Sequence, residues 1–356
     1  MGAAANIRDI RNLPSQKAEA NYSAAEEEGG DFETLTDDAP HSADSSDTPD
    51  AAPQIHIVVP ENPDGTRIDL VIARLVPQFS RARLQTWLDE GRISVDGTTA
   101  GARTRLWGGE ALTIAPAPDA AQLAYAPEPL PLDVVFEDAH VMVINKPPGL
   151  VVHPAAGNWS GTLLNGLLHY APQLVQVPRA GIVHRLDKDT SGLLVVAKTL
   201  EAQTALVRQL QARTMRREYL AVAAGRIEQG GTVDAVIGRH PSKRTLMAVL
   251  DMGAPGAKHA VTHYQPLNHY ARGATLVQCR LETGRTHKIR VHLRHIGHAL
   301  VGDQVYAAAP ARTWFVRQAL HAQTLAFVHP RSGKLSTHAA APPQDLADFL
   351  RELESE

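Results

Sequence analysis

Between Gly181 and Lys198 the chain reads GIVHRLDKDTSGLLVVAK. His184, Arg185, Asp187, Lys188, Asp189 and Thr190 run into Ser191-Gly192 and then an apolar strand. Polar groups held just ahead of a buried strand suit an active-site loop, because such residues are reachable yet anchored to a rigid scaffold. The plainer reading is a polar turn whose Asp and Ser satisfy backbone groups. On residue types alone that reading leads. Three other stretches could carry chemistry. His287, His292, His295 and His298 fall within 12 residues. They lack a carboxylate or Cys partner and match neither structural nor catalytic zinc spacing, so no metal is expected. GAPGAKHA, Gly253 to Ala260, looks like a phosphate loop, but its glycines are too close and His259 stands where Ser or Thr should meet magnesium. It reads as a hairpin loop. Cys279 lies inside an apolar strand and reads as core rather than nucleophile.

These residues need a scaffold, and the chain punctuates one clearly. Residues 1–56 are rich in Ala, Glu, Asp, Ser and Pro, and cannot bury enough apolar surface to offset their conformational entropy. They read as a disordered acidic tail. Residues 57–115 read as a small α/β module, with a strand entering it at Ile55 to Val59 and a turn at Asp64-Gly65. A helix follows with Ile68, Ile72 and Leu75 at helical spacing. Ser80 caps a second helix, with Leu84, Trp87 and Leu88 on one face and Gly91 at its end. Ile93-Ser94-Val95 then enters a hairpin at Asp96-Gly97. The Pro-rich stretch 116–131 reads as a linker. From residue 132 to 356 the pattern is strand-rich, with strands expected at Val141–Asn145, Leu193–Lys198, Tyr219–Ala224 and Thr275–Leu281. An amphipathic helix is expected over 201–212. No strict βαβ alternation appears, so the expected class is α+β, with a mixed, mainly antiparallel sheet.

The net charge of −3 conceals an asymmetry. Residues 1–56 hold 12 acidic and 3 basic side chains, a charge of −9, which leaves +6 on residues 57–356. A basic body permits a polyanionic partner. Hydrophobic residues make up 44% and charged residues 21%, the balance of a soluble globular chain with no membrane association. One cysteine rules out an intrachain disulfide, no run approaches the roughly 18 apolar residues of a membrane span, and no secretory signal opens the chain. Together these predict a cytoplasmic protein.

Order along the chain then points further. HRLDKDTSGLLVVAK is similar to the catalytic motif of the RluA/RluD family of pseudouridine synthases, and the family's aspartate falls on Asp187. VINKPPGLVVHPAAGN resembles its first motif, with Lys146 and Pro147. RREYLAVAAG places the family's active-site tyrosine on Tyr219. LETGRTHKIRVHLRHIGHALVGDQVY resembles the third motif and puts its arginine on Arg290. RQALHA, Arg317 to Ala322, is a further match. RIDLVIARLVPQFSRARLQTWLDEGRISVDG resembles the small RNA-binding domain first described in ribosomal protein S-four, whose helices present arginines to phosphates, here Arg81 and Arg83. The resemblance spans about residues 57–350. Lys288 departs from it, standing where most relatives have glutamine; the change bears on RNA contacts, not on the catalytic assignment.

The resemblance implies the pseudouridine synthase fold, a monomer, and isomerisation of uridine without a cofactor. That reaction breaks the bond from uracil nitrogen to the anomeric carbon and remakes it through carbon. A carboxylate suits attack at that carbon, or stabilisation of its developing positive charge. Asp187 must be ionised for this, which an adjacent guanidinium favours, and Arg290 is the candidate. Tyr219 is expected to stack on the base or serve in the proton step. Arg185 is expected to fill the space left by the flipped base, with Lys146 and Lys288 among the RNA contacts. The closest resemblance is to the RluD branch, which implies large-subunit (23S) ribosomal RNA, or the subunit itself, as partner. Transfer RNA is the alternative substrate. A non-catalytic RNA-binding assembly factor would need no combination of Asp187, Tyr219 and Arg290. A nucleoside hydrolase would need an activated water, and the chain shows no Asp-rich calcium cluster or second paired carboxylate to supply it.

Overall fold

The computed structural model describes residues 54–356 except 63, 118–123, 156–157 and 244–245. The expected acidic tail therefore lies outside the described residues, apart from its end, where Ile55 and His56 already belong to the first strand. The described chain forms two compact units that divide between Leu123 and Ala124. No helix among the described residues is long and apolar enough to cross a membrane.

The first unit holds β1 (Ile55–Val58), β2 (Thr66–Arg67), α1 (Ile68–Leu75), α2 (Arg81–Asp89), β3 (Ile93–Val95), β4 (Thr98–Thr99), β5 (Arg105–Leu106) and β6 (Ala111–Ile114). Its sheet runs β1-β6-β3-β4, and β2 pairs with β5. Local signals explain each element. Ser80 Oγ accepts from Arg83 N at 3.3 Å and starts α2. Asp96 and Gly97 both take positive φ, which a tight turn between antiparallel strands requires. Ile68, Ile72, Leu84, Trp87, Ile93 and Leu112 fill one core. Arg81 is exposed, and Arg83 lies over the Trp87 ring, 5.9 Å from its centroid. Arg105 instead donates to Gly65 O at 2.7 Å and holds the fold together.

The Pro-rich linker is shorter than its composition predicts. Residues Ala124 to Pro131 pack on the second unit, because Asn165 Nδ2 donates to Ala126 O at 2.8 Å and the Glu128 carboxylate accepts from Gly161 N at 2.9 Å. Leu130 also sits against Gly166, near enough that a Cβ there would approach it to 3.1 Å.

The second unit is one ten-stranded sheet with helices on both faces. Its strands are β7 (Val134–Glu137), β8 (Val141–Lys146), β9 (Ser191–Ala197), β10 (Arg216–Ala224), β11 (Gly231–Arg239), β12 (Met247–Leu250), β13 (Lys258–Tyr270), β14 (Ala274–Leu281), β15 (Leu320–Val328) and β16 (Leu335–Ala339). They run β12-β11-β13-β14-β10-β15-β9-β8-β7, with β16 also on β15. Every described pairing is antiparallel except β9 with β15. The expected α+β class with a mixed, mainly antiparallel sheet is the one observed. The segment from Gly253 is not a hairpin between its neighbours, however: β12 and β13 both pair with β11, one on each side.

The unit carries the helices α3 (Leu163–Tyr170), α4 (Leu200–Gln211), α5 (Lys288–His295) and α6 (Gln344–Ser355). β9 is buried along its whole length, as a strand covered on both faces must be. Leu194 and Val196 pack with α3 residues Leu163 and Leu167, while Leu193 and Val195 pack with Leu206 of α4. On β10 the alternation repeats: Ala221 and Tyr219 face the first core, and Leu220 and Val222 meet Leu346 and Phe349 of α6. The face that holds α3 and α5 is also the face that carries Tyr219.

Gly192 sets how closely β9 approaches β15, and Gly297, beyond α5, offers a comparison with the same backbone hand. At Gly192 φ is +111°, and a Cβ would stand 2.3 Å from Ala322 O on β15. At Gly297 φ is +90° but the space is open. Gly192→Ala should therefore destabilise the unit by several kcal/mol, whereas Gly297→Ala should cost only the strain of a left-handed backbone, about 1–3 kcal/mol. Thermal melting of the two variants checks this, and equal losses would contradict the steric account.

Candidate active site

Asp187 sits in the loop that enters β9, and its backbone is fixed from both sides. Thr190 N donates to Asp187 O at 3.0 Å and closes a turn. Lys188 O accepts from Gly149 N and from Lys146 Nζ, each at 2.9 Å. Asp189 O accepts from Arg317 Nη1 at 3.0 Å. Arg317 is itself held by Asp345, at 2.7 and 3.0 Å. The side chain of Asp187 is thereby presented by a loop with little freedom.

Lys146 does this from the interior. It is 0% exposed, and its Nζ also donates to Pro147 O at 2.7 Å and Leu150 O at 2.9 Å. Burial pulls its pKa down to about 7. Three carbonyl acceptors nonetheless need three N–H donors, so the geometry selects the ammonium form. Lys288 is similar: buried, with Nζ donating to Val261 O at 2.8 Å, Thr283 O at 2.6 Å and Thr283 Oγ1 at 2.9 Å. Burial, with the nearby Arg217 charge adding to it, takes its pKa to about 6. Both lysines were expected among the RNA contacts. Their donors are spent on the protein's own oxygens, so that expectation is withdrawn for both.

Arg290 comes from α5, whose N-cap His287 adopts a left-handed backbone with φ 55°. Its guanidinium is bidentate on Asp303, with Nε to Oδ2 at 2.7 Å and Nη2 to Oδ1 at 2.8 Å. The remaining Nη1 donates to Asp187 Oδ2 at 3.1 Å. The Asp303 side chain is fully buried, and its Oδ1 also accepts from Val305 N at 2.9 Å and Tyr306 N at 3.0 Å. Burial opposes the Arg290 charge, but the hydrogen bonds and charge of Asp303, and then Asp187, more than offset it and hold its pKa above the usual range. Burial likewise opposes the Asp303 carboxylate, and Arg290 overcomes it, so its pKa falls. The Tyr306 ring lies under the guanidinium, 5.0 Å from Cζ to centroid.

His287 completes the surroundings. The Tyr306 hydroxyl oxygen accepts from Met247 N at 3.0 Å and is hydrogen-bonded to His287 Nδ1 at 2.9 Å. His287 Nε2 stands 4.0 Å from Asp187 Oδ1. Burial lowers the His287 pKa despite the Asp187 charge, so the ring is neutral near pH 7. Two other histidines of that run serve elsewhere: His292 meets Thr262 Oγ1 at 3.0 Å and His298 meets Ala224 O at 2.9 Å.

Asp187, Tyr219, His287 and Arg290 line one cleft of about 900 Å³. Arg179, Arg185, Arg213 and Arg285 line it as well. Arg185, two residues before Asp187, is exposed. Tyr219 is only 6% exposed, and burial pushes its phenol up to about 12, so it is a neutral hydroxyl at physiological pH. The sequence reading named Asp187, Arg290, Tyr219 and Arg185 for this cleft. It gave no role to Asp303, Tyr306 or Arg217, and saw His287 only as a possible ligand. Asp303 and Tyr306 both lie inside the quoted third block, in GDQVY, which was the one signal available. Arg81 and Arg83 belong to the first unit.

A carboxylate held by a buried arginine, in a cleft bordered by arginines, suits chemistry on an anionic substrate. The RNA pseudouridylate synthase family model matches residues 140–295, the segment that contains Asp187, Tyr219 and Arg290. The ribosomal large subunit pseudouridine synthase D of Nitrosomonas europaea is 51% identical over 83% of this chain and 87% of its own length. The proteins of the same name from Xanthomonas campestris pv. campestris and Escherichia coli O6:H1 are 50% and 49% identical. Each covers 83% of this chain, and 91% and 93% of its own length respectively. The chain belongs to this family and is an RNA pseudouridine synthase.

The Asp303–Arg290–Asp187 chain makes a direct prediction. Asp303→Asn leaves a buried guanidinium short of its counter-charge, which typically costs about 3–5 kcal/mol. The variant should melt about 10 °C lower, and below that melting point should turn over at least about 100-fold more slowly with unchanged RNA affinity. Melting together with single-turnover kinetics checks both. Wild-type turnover in the folded variant would show that Arg290 needs no anchor.

Proposed function

We propose that this enzyme converts specific uridines of large-subunit (23S) ribosomal RNA to pseudouridine, acting as a cytoplasmic monomer on the RNA or the assembling subunit. The relatives' shared name supports the substrate. The observation that carries the chemistry is the contact between Arg290 and Asp187 at 3.1 Å inside an arginine-lined cleft. A target base enters such a cleft only when flipped from its stack, at a cost of a few kcal/mol. Exposed Arg185, beside the cleft, is positioned to take up the vacated space.

In the reaction the bond from C1′ to N1 breaks and its electron pair leaves with the base. The Asp187 carboxylate meets the positive charge that develops on C1′, by bonding to it or by electrostatic stabilisation. The base rotates, C5 bonds to C1′, the C5 proton departs and N1 gains one. Nothing is oxidised or transferred, so no cofactor is required. Tyr219 serves as a stacking surface and a neutral hydroxyl. Its high pKa makes the phenol a weak acid and its phenolate scarce, so the reading assigns it orientation rather than proton removal. Arg81 and Arg83 bind phosphates through the first unit and add salt-dependent affinity.

Deleting the gene and mapping pseudouridines tests the substrate. Specific 23S sites should revert to uridine and return with a wild-type copy. Intact 23S sites with a missing transfer-RNA site would overturn the assignment.

A further inference from the structure

Several buried polar atoms of the second unit lack partners, and three of them belong to residues lining the catalytic cleft: His153 Nε2, His184 Nδ1 and Arg217 Nε. Two are donors beyond doubt of tautomer. His184 Nε2 accepts from Val195 N at 3.2 Å, so its hydrogen is on Nδ1. Arg217 Nε–H is always a donor. Burial, reinforced by the Arg217 charge, keeps His184 neutral, with its pKa down at about 3.

Arg217 is the unusual member. It is only 4% exposed, and among the described residues its one hydrogen bond runs from Nη2 to Glu282 O at 3.2 Å. Each other buried arginine of this region has a carboxylate: Arg290 has Asp303 and Asp187, and Arg317 has Asp345. A buried guanidinium with one carbonyl partner is costly to keep. What it lacks is an oxygen acceptor able to carry negative charge.

Its place along the cleft says which oxygen. Arg217 and Tyr219 are two residues apart on β10 and both line the cleft. Alternate residues of a strand share a face and stand about 6.5–7 Å apart. Asp187 lines the same cleft, and its charge and that of Arg217 both reach Tyr219. A uridine with its anomeric carbon at Asp187 and its ring on Tyr219 would direct the far edge of the base toward Arg217.

We propose that Arg217 binds a carbonyl oxygen on the far edge of the flipped uracil, selecting it over cytosine and holding the negative charge the base acquires when the glycosidic bond breaks. Uracil presents the acceptor O4 where cytosine presents an amino donor, and a guanidinium cannot accept from that donor. When the C1′–N1 bond breaks, the electron pair spreads over N1, O2 and O4 of the uracil anion. A cation already desolvated at that edge is aimed at the charge as it forms. The charge returns to neutral when C5 bonds to C1′, its proton leaves and N1 is protonated. This inference rests on the reading that the cleft receives the target uridine.

The test crosses protein and substrate changes. A 23S fragment carries uridine or 4-thiouridine at the target, and wild-type, Arg217→Gln and Arg217→Lys enzymes are compared under single turnover. Sulfur is a poor acceptor, yet a thiouracil anion is no worse a leaving group, so a slower reaction requires a lost contact. Wild type should react about 10- to 100-fold more slowly with the thio target. Arg217→Gln should slow uridine by a similar factor, show little further thio effect and keep its RNA affinity, while Arg217→Lys should recover part of the rate.

Equal wild-type rates on both targets would overturn the proposal, and this arm needs no variant to fold. So would the same thio penalty in wild type and Arg217→Gln. So would coupling of Arg217 to methylphosphonate at a flanking linkage, which would make it a phosphate contact. A wild-type enzyme inactive on the unmodified fragment would instead sink the substrate assignment.

Discussion

The site depends on one cation placed between two carboxylates. Asp303 is buried and takes two of the Arg290 donors, and backbone N–H groups of Val305 and Tyr306 hold it in turn. That leaves one guanidinium edge, at a fixed angle, for Asp187 at 3.1 Å. A surface ion pair would contribute little and wander, whereas here both the charge and the direction are set by burial. Asp187 is thus kept oriented by a group that cannot easily move or lose its proton. Neutral His287 lies on the other side of the carboxylate, 4.0 Å away. Without the Asp303 anchor, Arg290 would pair with Asp187 as a mobile side chain and could neutralise the oxygen the chemistry needs.

Other buried cations serve the same end by organising backbone. Lys146 gathers three carbonyls, one of them next to Asp187, and Arg317 holds the carbonyl of Asp189. Lys288 ties the start of α5 to Thr283 and Val261. These charges are spent on positioning loops. Arg217, by contrast, lines the cleft while its buried Nε keeps no partner, a local cost typical of functional sites, where stability is given up for binding.

The first unit was legible because its signals are local. Ser80, Asp96-Gly97 and the spacing of Leu84, Trp87 and Leu88 each act within a few residues. The strands around the catalytic loop were also visible, since β9 is an unbroken apolar run. The pairing of Asp187 with Arg290 was reached through family resemblance, because 103 residues separate them and no periodicity links them. α5 was unnamed because five of the eight residues of KIRVHLRH are Lys, Arg or His, and its helical burial is of Arg290 and Lys288 as much as of Ile289 and Leu293. The same blind spot misassigned Lys146 and Lys288: a lysine in a sequence looks like a surface charge, and only the structure shows that carbonyls surround it. The turn around Gly253 misled for a related reason, since strand order is a long-range property.

The account's central claim is that the Asp187 carboxylate, held by Arg290, performs the chemistry and contributes little to folding or RNA affinity. Asp187→Asn keeps the shape and removes the charge, and Asp189→Asn is the neighbouring control. Tritium release from 5-tritiated uridine in ribosomal RNA, measured under single turnover alongside melting and RNA binding, separates these roles. The account predicts that Asp187→Asn melts near wild type, binds RNA as tightly, and loses up to about 10⁶-fold in rate, while Asp189→Asn loses far less. Appreciable turnover by folded Asp187→Asn would contradict it.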